Sequence, residues 1–225
     1  MKQNKLIIFD FDGTIADSMW AWDELGCVTL QERGLPPLPD YEKVIRTMSV
    51  PHFSEYLAKL FPTLAPAEKL MSEWHEKMVY NYCNRIPLKK GIVPFLDYLK
   101  ENGYTMYLAS ATHYKVLIQA VRHFDLEKYF DFIITEEVVG ISKRDPKIYQ
   151  MCVERSGCDI DHIYLFEDAN HAVKTANRLG VNVCAISDYS MREHVEEVKE
   201  NSKLYLDDFT DIETLKAFIG GTEIK

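Results

Sequence analysis

The 225-residue sequence predicts an α/β fold: a parallel sheet covered by helices on both faces, interrupted by one helical insertion. Three observations carry this reading. Short apolar runs rich in β-branched and aromatic residues alternate with stretches of helical spacing. The strand-like runs are mostly apolar rather than alternating, as in strands buried on both sides. One long interval near the start carries helical patterns and no strand pattern.

The first strand is predicted at residues 6–9 (Leu-Ile-Ile-Phe). From about Asp17 to Arg85 the pattern is helical at 19–30, 41–48, 53–61 and 67–83, with prolines at 36, 37, 39, 51, 62 and 66 between or within these stretches. Residues 17–85 are therefore expected to form the insertion, and residues 1–16 with 86–225 the core, re-entered through Pro87 and Gly91. Ile92, Phe95, Leu96 and Leu99 then mark one helix face, 105–109 a second strand, Leu117, Ala120, Val121 and Phe124 another helix face, and 132–135 a third strand. A fourth strand at 163–166, a helix carrying Ala172, Val173, Ala176 and Leu179, and a fifth strand at 181–186 complete the alternation. Gly103 and Gly180 stand just beyond helical stretches, where a left-handed C-terminal cap favours glycine.

Composition excludes several classes. With 47% apolar and 27% charged residues the chain is an ordinary globular one. A net charge of −9 offers no basic field for nucleic acid. The five cysteines, Cys27, Cys83, Cys152, Cys158 and Cys184, are odd in number and include no C-x-x-C pair, so reduced and mostly buried thiols are expected. Four apolar residues before Asp10 are too few for a signal peptide, and no window approaches a membrane span. The expected setting is the cytoplasm, with no membrane and no nucleic acid as partner; a monomer is expected.

In an open parallel sheet, ligands bind beyond the carboxyl ends of the strands. The informative residues are then those that follow each strand. Asp10-Phe11-Asp12-Gly13-Thr14 follows the first, and residues two apart on an extended chain face the same way, so both carboxylates can reach one ligand. Ser110 follows the second strand, a loop with Lys143 follows the third, and Glu167-Asp168 follows the fourth. A nucleophile candidate, a hydroxyl, a cation and further acid suit phosphoryl transfer. A carboxylate can attack phosphorus and split hydrolysis into two easier steps. Clustered carboxylates repel one another and the phosphate, so they call for a hard cation such as Mg²⁺. Ser110 and Lys143 can stabilise charge on the transferring oxygens, and Asp12 can protonate the leaving group. Singly, each residue has a plainer reading: D-x-D as a solvated turn, Ser110 as a turn residue, Lys143 as a solvated cation, Asp168 as a helix N-cap.

The four segments in this order resemble the haloacid dehalogenase superfamily of phosphatases, in the branch with a helical cap inserted after the first strand. Asp10-Phe11-Asp12-Gly13-Thr14 matches the first motif, Leu108-Ala109-Ser110-Ala111 the second, Lys143-Arg144-Asp145-Pro146-Lys147-Ile148-Tyr149 the third and Glu167-Asp168 the fourth. The resemblance spans essentially the whole chain and implies a doubly wound, Rossmann-like core with a small all-helical cap. It also implies roles. Asp10 would be nucleophile and metal ligand, Asp12 general acid/base and ligand through its carbonyl, and Asp168 a further ligand, with Glu167 as another. Ser110, Ala111 and Lys143 would hold the phosphoryl oxygens of a small phosphorylated metabolite.

The chain departs from the family pattern at Arg144, where relatives usually have proline, and at Ala169 and Ala172 within the usual E-D-S-x-x-G. His113 and His171 are expected to be exposed bystanders. The leading reading is phosphomonoester hydrolysis; a sugar-phosphate mutase, a dehalogenase and a non-catalytic binding protein are the alternatives. Asp12 speaks against the dehalogenase, since such relatives dispense with that aspartate. Mutases of this resemblance carry a histidine ten positions after the second aspartate, where this chain has Trp22, and an arginine in the next cap segment, where Met48-Ser49-Val50-Pro51 offers none and Arg46 lies nearby. Thr14 is the phosphatase-like residue at its position. Of the insertion residues Trp20, Trp22, Arg46, Trp74 and Tyr80, most are expected to pack rather than line a pocket, and Arg46 to be solvated, its alternative being a grip on a second anionic group of the substrate.

Overall fold

The computed structural model describes residues 4–46 and 48–221, without the side chains of Lys43 and Arg46. In chain order the main elements are β1 (Leu6–Phe9), α1 (Met19–Glu32), α2 (Tyr41–Arg46), α3 (Val50–Leu60), α4 (Ala67–Asn84), α5 (Ile92–Glu101) and β2 (Thr105–Ser110). They continue with α6 (Tyr114–His123), β3 (Phe132–Thr135), α7 (Glu136–Val139), α8 (Lys147–Ser156), β4 (Ile163–Glu167) and α9 (Asn170–Leu179). The last are β5 (Asn182–Ile186), α10 (Val195–Glu200), β6 (Leu204–Leu206) and α11 (Ile212–Gly220). The chain divides into two compact units, Met1–Asp17 with Pro87–Lys225, and Ser18–Ile86.

The first unit holds one sheet of six parallel strands in the order β3-β2-β1-β4-β5-β6. The chain runs outward from β1 to β3, then returns to start again at β4 on the other side of β1. The topological switch point therefore lies between β1 and β4. Phe9 is level with both Leu108 and Phe166, so the carboxyl ends of β1, β2 and β4 are aligned. One face of the sheet buries Leu6, Ile8, Ala109, Leu165 and Val183 against Ile148, Cys152, Val173 and Ala176 of α8 and α9. On the other, Phe9 stacks on Phe166 at 4.9 Å between ring centroids, with Phe95 and Phe209 packed edge-on or tilted around them. Apolar β1, buried along its whole length, needs both layers.

The second unit is helical. Trp74 and Trp22 are buried and anchored, Trp74 donating through Nε1 to Thr29 Oγ1 at 2.8 Å and Trp22 to the Tyr82 hydroxyl at 3.3 Å. Phe53 stacks on Trp74. Gly26 is required at its place in α1, because a Cβ there would stand 2.5 Å from the Phe53 ring. Trp20 is half-buried under the Arg85 guanidinium, whereas Tyr80 is exposed and not packed as expected. The helix expected over 41–48 is seen over Tyr41–Arg46; Thr47 and the Arg46 side chain lie outside the described residues. Of the cysteines, Cys152 and Cys184 are buried, Cys158 half-buried, and Cys27 and Cys83 exposed, so the thiols are less buried than composition suggested.

Candidate active site

Beyond β1 the chain cannot continue as a strand. Gly13 adopts φ +85°, turning the backbone so that Ile15 and Ala16 N–H both return to the Phe11 carbonyl at 2.9 and 2.8 Å. A Cβ at Gly13 would lie 2.4 Å from Asp168 Oδ2, so only glycine lets this turn approach the end of β4. Asp10 N–H completes the ladder to Phe166 O at 2.9 Å, which fixes the first aspartate beside Glu167 and Asp168.

Asp10, Glu167 and Asp168 are all buried, and each offers a carboxylate oxygen within 4.8 Å of the others. Lys143 reaches into this cluster from the loop before α8, 2% exposed, donating from Nζ to Asp10 Oδ1 and, at 2.8 Å, to Glu167 Oε2. Its loop is fixed by Glu136 Oε1, which accepts from Lys143 N at 2.6 Å and from Ser142 Oγ at 3.2 Å. The other oxygen of Glu167 accepts from Ala169 N at 3.1 Å, and Asp168 Oδ1 accepts from Thr14 Oγ1 at 3.0 Å.

The electrostatics follow from this geometry. Burial, then the negative charge of Glu167, pushes the Asp10 carboxyl up to about 8 against the opposing pull of Lys143. Asp168 is pushed well up by burial, then by Glu167, Asp10 and Asp188. Burial alone would push Lys143 down, but Asp10 and Glu167 outweigh it and hold the ammonium well above the usual lysine value. Three acids around one cation remain short of positive charge, and the donor set is oxygen only. That chemistry fits a hard divalent cation.

Ser110 is buried at the end of β2, and its Oγ accepts from Thr112 N at 3.0 Å, leaving its own proton for another acceptor. Thr112 Oγ1 donates to Asp12 Oδ2 at 2.5 Å, which ties the Asp12 carboxylate to the β2 loop, while its charge still adds to the upward push on Asp10. Ala111 is exposed between them. The structure thus gathers Asp10, Lys143, Glu167 and Asp168 into one contact group and links Asp12 to Ser110 through Thr112.

Sequence reasoning missed several residues here. Thr112 stands two positions past Ser110 on the same strand end, where the alternation argument used for Asp10 and Asp12 would have found it. Asp188 follows β5 at the same edge and accepts from Lys89 Nζ at 3.0 Å, while Lys89 also lies 3.9 Å from Asp17. The rule that strand ends carry function, extended to β5, points to it. Glu136 had no sequence signal. His171 is not an exposed bystander: it is half-buried, and burial, then Arg144 and Lys143, pushes it down to about 4, so it is neutral. His113 caps α6, its Nδ1 accepting from Lys115 N at 3.3 Å, because the chain enters that helix without Ser, Thr, Asp or Asn.

The fold is of the α/β class, with four acids, a buried lysine and a strand-end serine at the carboxyl edge of a parallel sheet. Residues 7–186 match the family model for haloacid dehalogenase-like hydrolases, and the chain belongs to that family. It is similar to the phosphorylated carbohydrates phosphatase of Thermotoga maritima, 28% identical over 178 residues that cover 78% of this chain and 81% of the relative. It is also similar to hexitol phosphatase B of Escherichia coli K12, 27% identical over 68% of this chain and 69% of that one. Among solved structures, CbbY from Rhodobacter sphaeroides in complex with phosphate superposes with a TM-score of 0.76 at 20% identity, covering 92% of this chain and 96% of that chain. The fold is shared with it. The chain is an enzyme, a hydrolase of the phosphatase kind.

Proposed function

We propose that this enzyme is a Mg²⁺-dependent phosphatase that hydrolyses a small phosphorylated metabolite through an aspartyl phosphate on Asp10. The observation that carries it is the convergence of Asp10, Glu167 and Asp168 about Lys143 at the switch point of the sheet. Asp10 and Asp168, with the Asp12 carbonyl, would hold the ion, and Glu167, whose carboxylate lies within 4.8 Å of both acids, would be a further ligand. Bound there, Mg²⁺ would neutralise charge on the cluster and on the phosphoryl oxygens.

The chain's own residues do the rest. An Asp10 oxygen attacks phosphorus as the bond to the leaving oxygen breaks, and Asp12 gives that oxygen its proton. Asp12 then takes a proton from the water that attacks the phosphoryl group and frees Asp10. Lys143 and Ser110 donate to the phosphoryl oxygens, as does the backbone at Ala111, and the Glu167–Lys143 contact keeps the ammonium aimed. The hydrogen bond from Thr112 holds the Asp12 carboxylate for its two proton transfers.

Residues 17–85 are read as the cap that selects the substrate, and residues 1–16 with 86–225 as the catalytic core. Hydrolysis is preferred to mutase chemistry because Trp22 is part of the helical unit's own packing, hydrogen-bonded to Tyr82, and carries no base. The supporting relatives that act on phosphorylated carbohydrates and hexitol phosphates point to a polyol or sugar phosphate. A monomer in the cytoplasm completes the reading; among the described residues no helix is long and apolar enough to cross a membrane. A screen of sugar and polyol phosphates, reading released phosphate, should give turnover with Mg²⁺ that is lost in excess chelator and in Asp10→Asn. No Mg²⁺-dependent release from any phosphorylated metabolite would favour a binding protein on the same fold.

A further inference from the structure

The described arginines sort into two groups. Arg33, Arg85 and Arg122 pair with Glu73, Glu24 and Glu127, and Arg155 and Arg192 lie over the rings of Phe132 and Tyr189. Arg144 and Arg178 have neither an acid nor a ring for a partner among the described residues. These two, from different elements, line the same cleft of about 230 Å³ together with Pro146, Thr175 and Leu179. In a chain of net charge −9, two exposed arginines without an acidic partner that line one cleft offer a local site for an anion from outside.

We infer that this cleft is a second anion site that takes inorganic phosphate or a small phosphate monoester. Thr175, Arg178 and Leu179 stand at i, i+3 and i+4 on α9 and so share one face of the helix. Arg144 and Pro146 form the other side, and the Thr175 hydroxyl reaches toward it, sharing its one proton between the His171 carbonyl at 2.8 Å and the Arg144 carbonyl at 3.3 Å. That contact ties the loop carrying Arg144 to α9 and keeps the two arginines on one cleft. A carboxylate has a single edge for one bidentate fork, whereas a tetrahedral phosphate presents several and can be gripped from both sides. Pro146, Leu179 and the Thr175 methyl give an apolar floor for the carbon part of an ester. Arg178 also complements the negative end of α9, which accounts for its place on the helix but not for Arg144.

The cleft is separate from the acid cluster: Asp168 precedes the start of α9, and Arg178 lies roughly 12 Å further along it at 1.5 Å per residue. Arg144 is bonded to Lys143, yet its side chain is exposed while that of Lys143 is buried with Asp10.

The test is a titration of the whole enzyme with inorganic phosphate at constant ionic strength, reading the arginine Nε–Hε signals by nuclear magnetic resonance. Arg144→Gln and Arg178→Gln assign the two signals. The expected result is that both shift along one saturable curve, and that Arg144→Gln weakens the Arg178 response at least tenfold. A linear drift that chloride reproduces, or an Arg178 curve unchanged in Arg144→Gln, would overturn the site. Neither outcome depends on turnover, so it leaves the reading of the acid cluster untouched.

Discussion

Replacing Lys143 by methionine keeps an unbranched stem of similar length and removes the cation that contacts Asp10 and Glu167 in the acid cluster. Asp10 and Glu167 each lose a direct partner while staying buried. Removing one member of a buried ion pair costs about 3–5 kcal/mol, a large part of the roughly 5–15 kcal/mol that holds a domain together. The cost should depend on pH, with a sign that follows from Asp10. Its carboxyl is raised to about 8, so the folded, metal-free protein binds that proton more tightly than the unfolded chain, and its stability falls as pH rises from about 4 through 8. Without the ammonium the Asp10 carboxyl rises further and the decline continues to higher pH. The Lys143 contribution is present below the ordinary lysine value of 10.5 and is lost only as pH passes its raised folded value, so pH 9 lies inside the window. The gap between wild type and Lys143→Met should therefore be larger at pH 9 than at pH 6. Urea unfolding in excess chelator measures it, followed by far-ultraviolet circular dichroism. Fluorescence would mislead, because Trp20, Trp22 and Trp74 all lie in the unit Ser18–Ile86. A loss below about 1 kcal/mol at pH 9, or one that does not change with pH, would refute the reasoning.

Three further outcomes are expected. Gly13→Ala adds a methyl 2.4 Å from Asp168 Oδ2 at φ +85°, so left-handed strain and overpacking together should cost about 2–4 kcal/mol and Mg²⁺ binding should weaken sharply; wild-type values in urea unfolding and calorimetric titration would contradict this. Thr112→Val keeps the side chain's shape but removes the hydroxyl held to Asp12, and should lower kcat by about 10- to 100-fold with KM little changed, the worth of a hydrogen bond to a charged group. A steady-state assay that finds KM raised and kcat intact would mean Thr112 serves binding. Given hexose 1-phosphate and a trace of bisphosphate, the enzyme should release phosphate and form no isomerised sugar phosphate; faster formation of hexose 6-phosphate would establish a mutase.

Five strands were legible because each is a short, mostly apolar run: β1 and the edge strand β3 have the expected bounds, and the interior strands β2, β4 and β5 differ by one residue at one end. β6 was not legible. It is three half-buried residues at the sheet edge between Lys203 and Asp207, and it exists because β5 offers Cys184, Ala185 and Ile186 as rungs. In the site, Asp10, Ser110, Lys143, Glu167 and Asp168 could be read because each follows a strand or a recognisable motif. The contacts that orient them could not. Glu136, at the start of α7, fixes the Lys143 loop from seven positions away, and Lys89 meets Asp188 from nearly a hundred. Such pairings depend on how the loops pack. His171 shows the same limit: its place after the fourth motif is visible, but not its burial, nor the charges of Arg144 and Lys143 on the third motif's loop that add to the downward push on it.

The central claim is the covalent step on Asp10, and an acyl phosphate can be caught chemically. The enzyme, or Asp12→Asn to slow breakdown of the intermediate, is mixed with a substrate found in the screen and Mg²⁺, then quenched and treated with borohydride, which reduces an aspartyl phosphate to homoserine. Peptide mapping by mass spectrometry should find homoserine at position 10, dependent on both substrate and Mg²⁺, and absent from Asp10→Asn. Homoserine at position 12 instead, or none anywhere while phosphate release proceeds, would contradict the account.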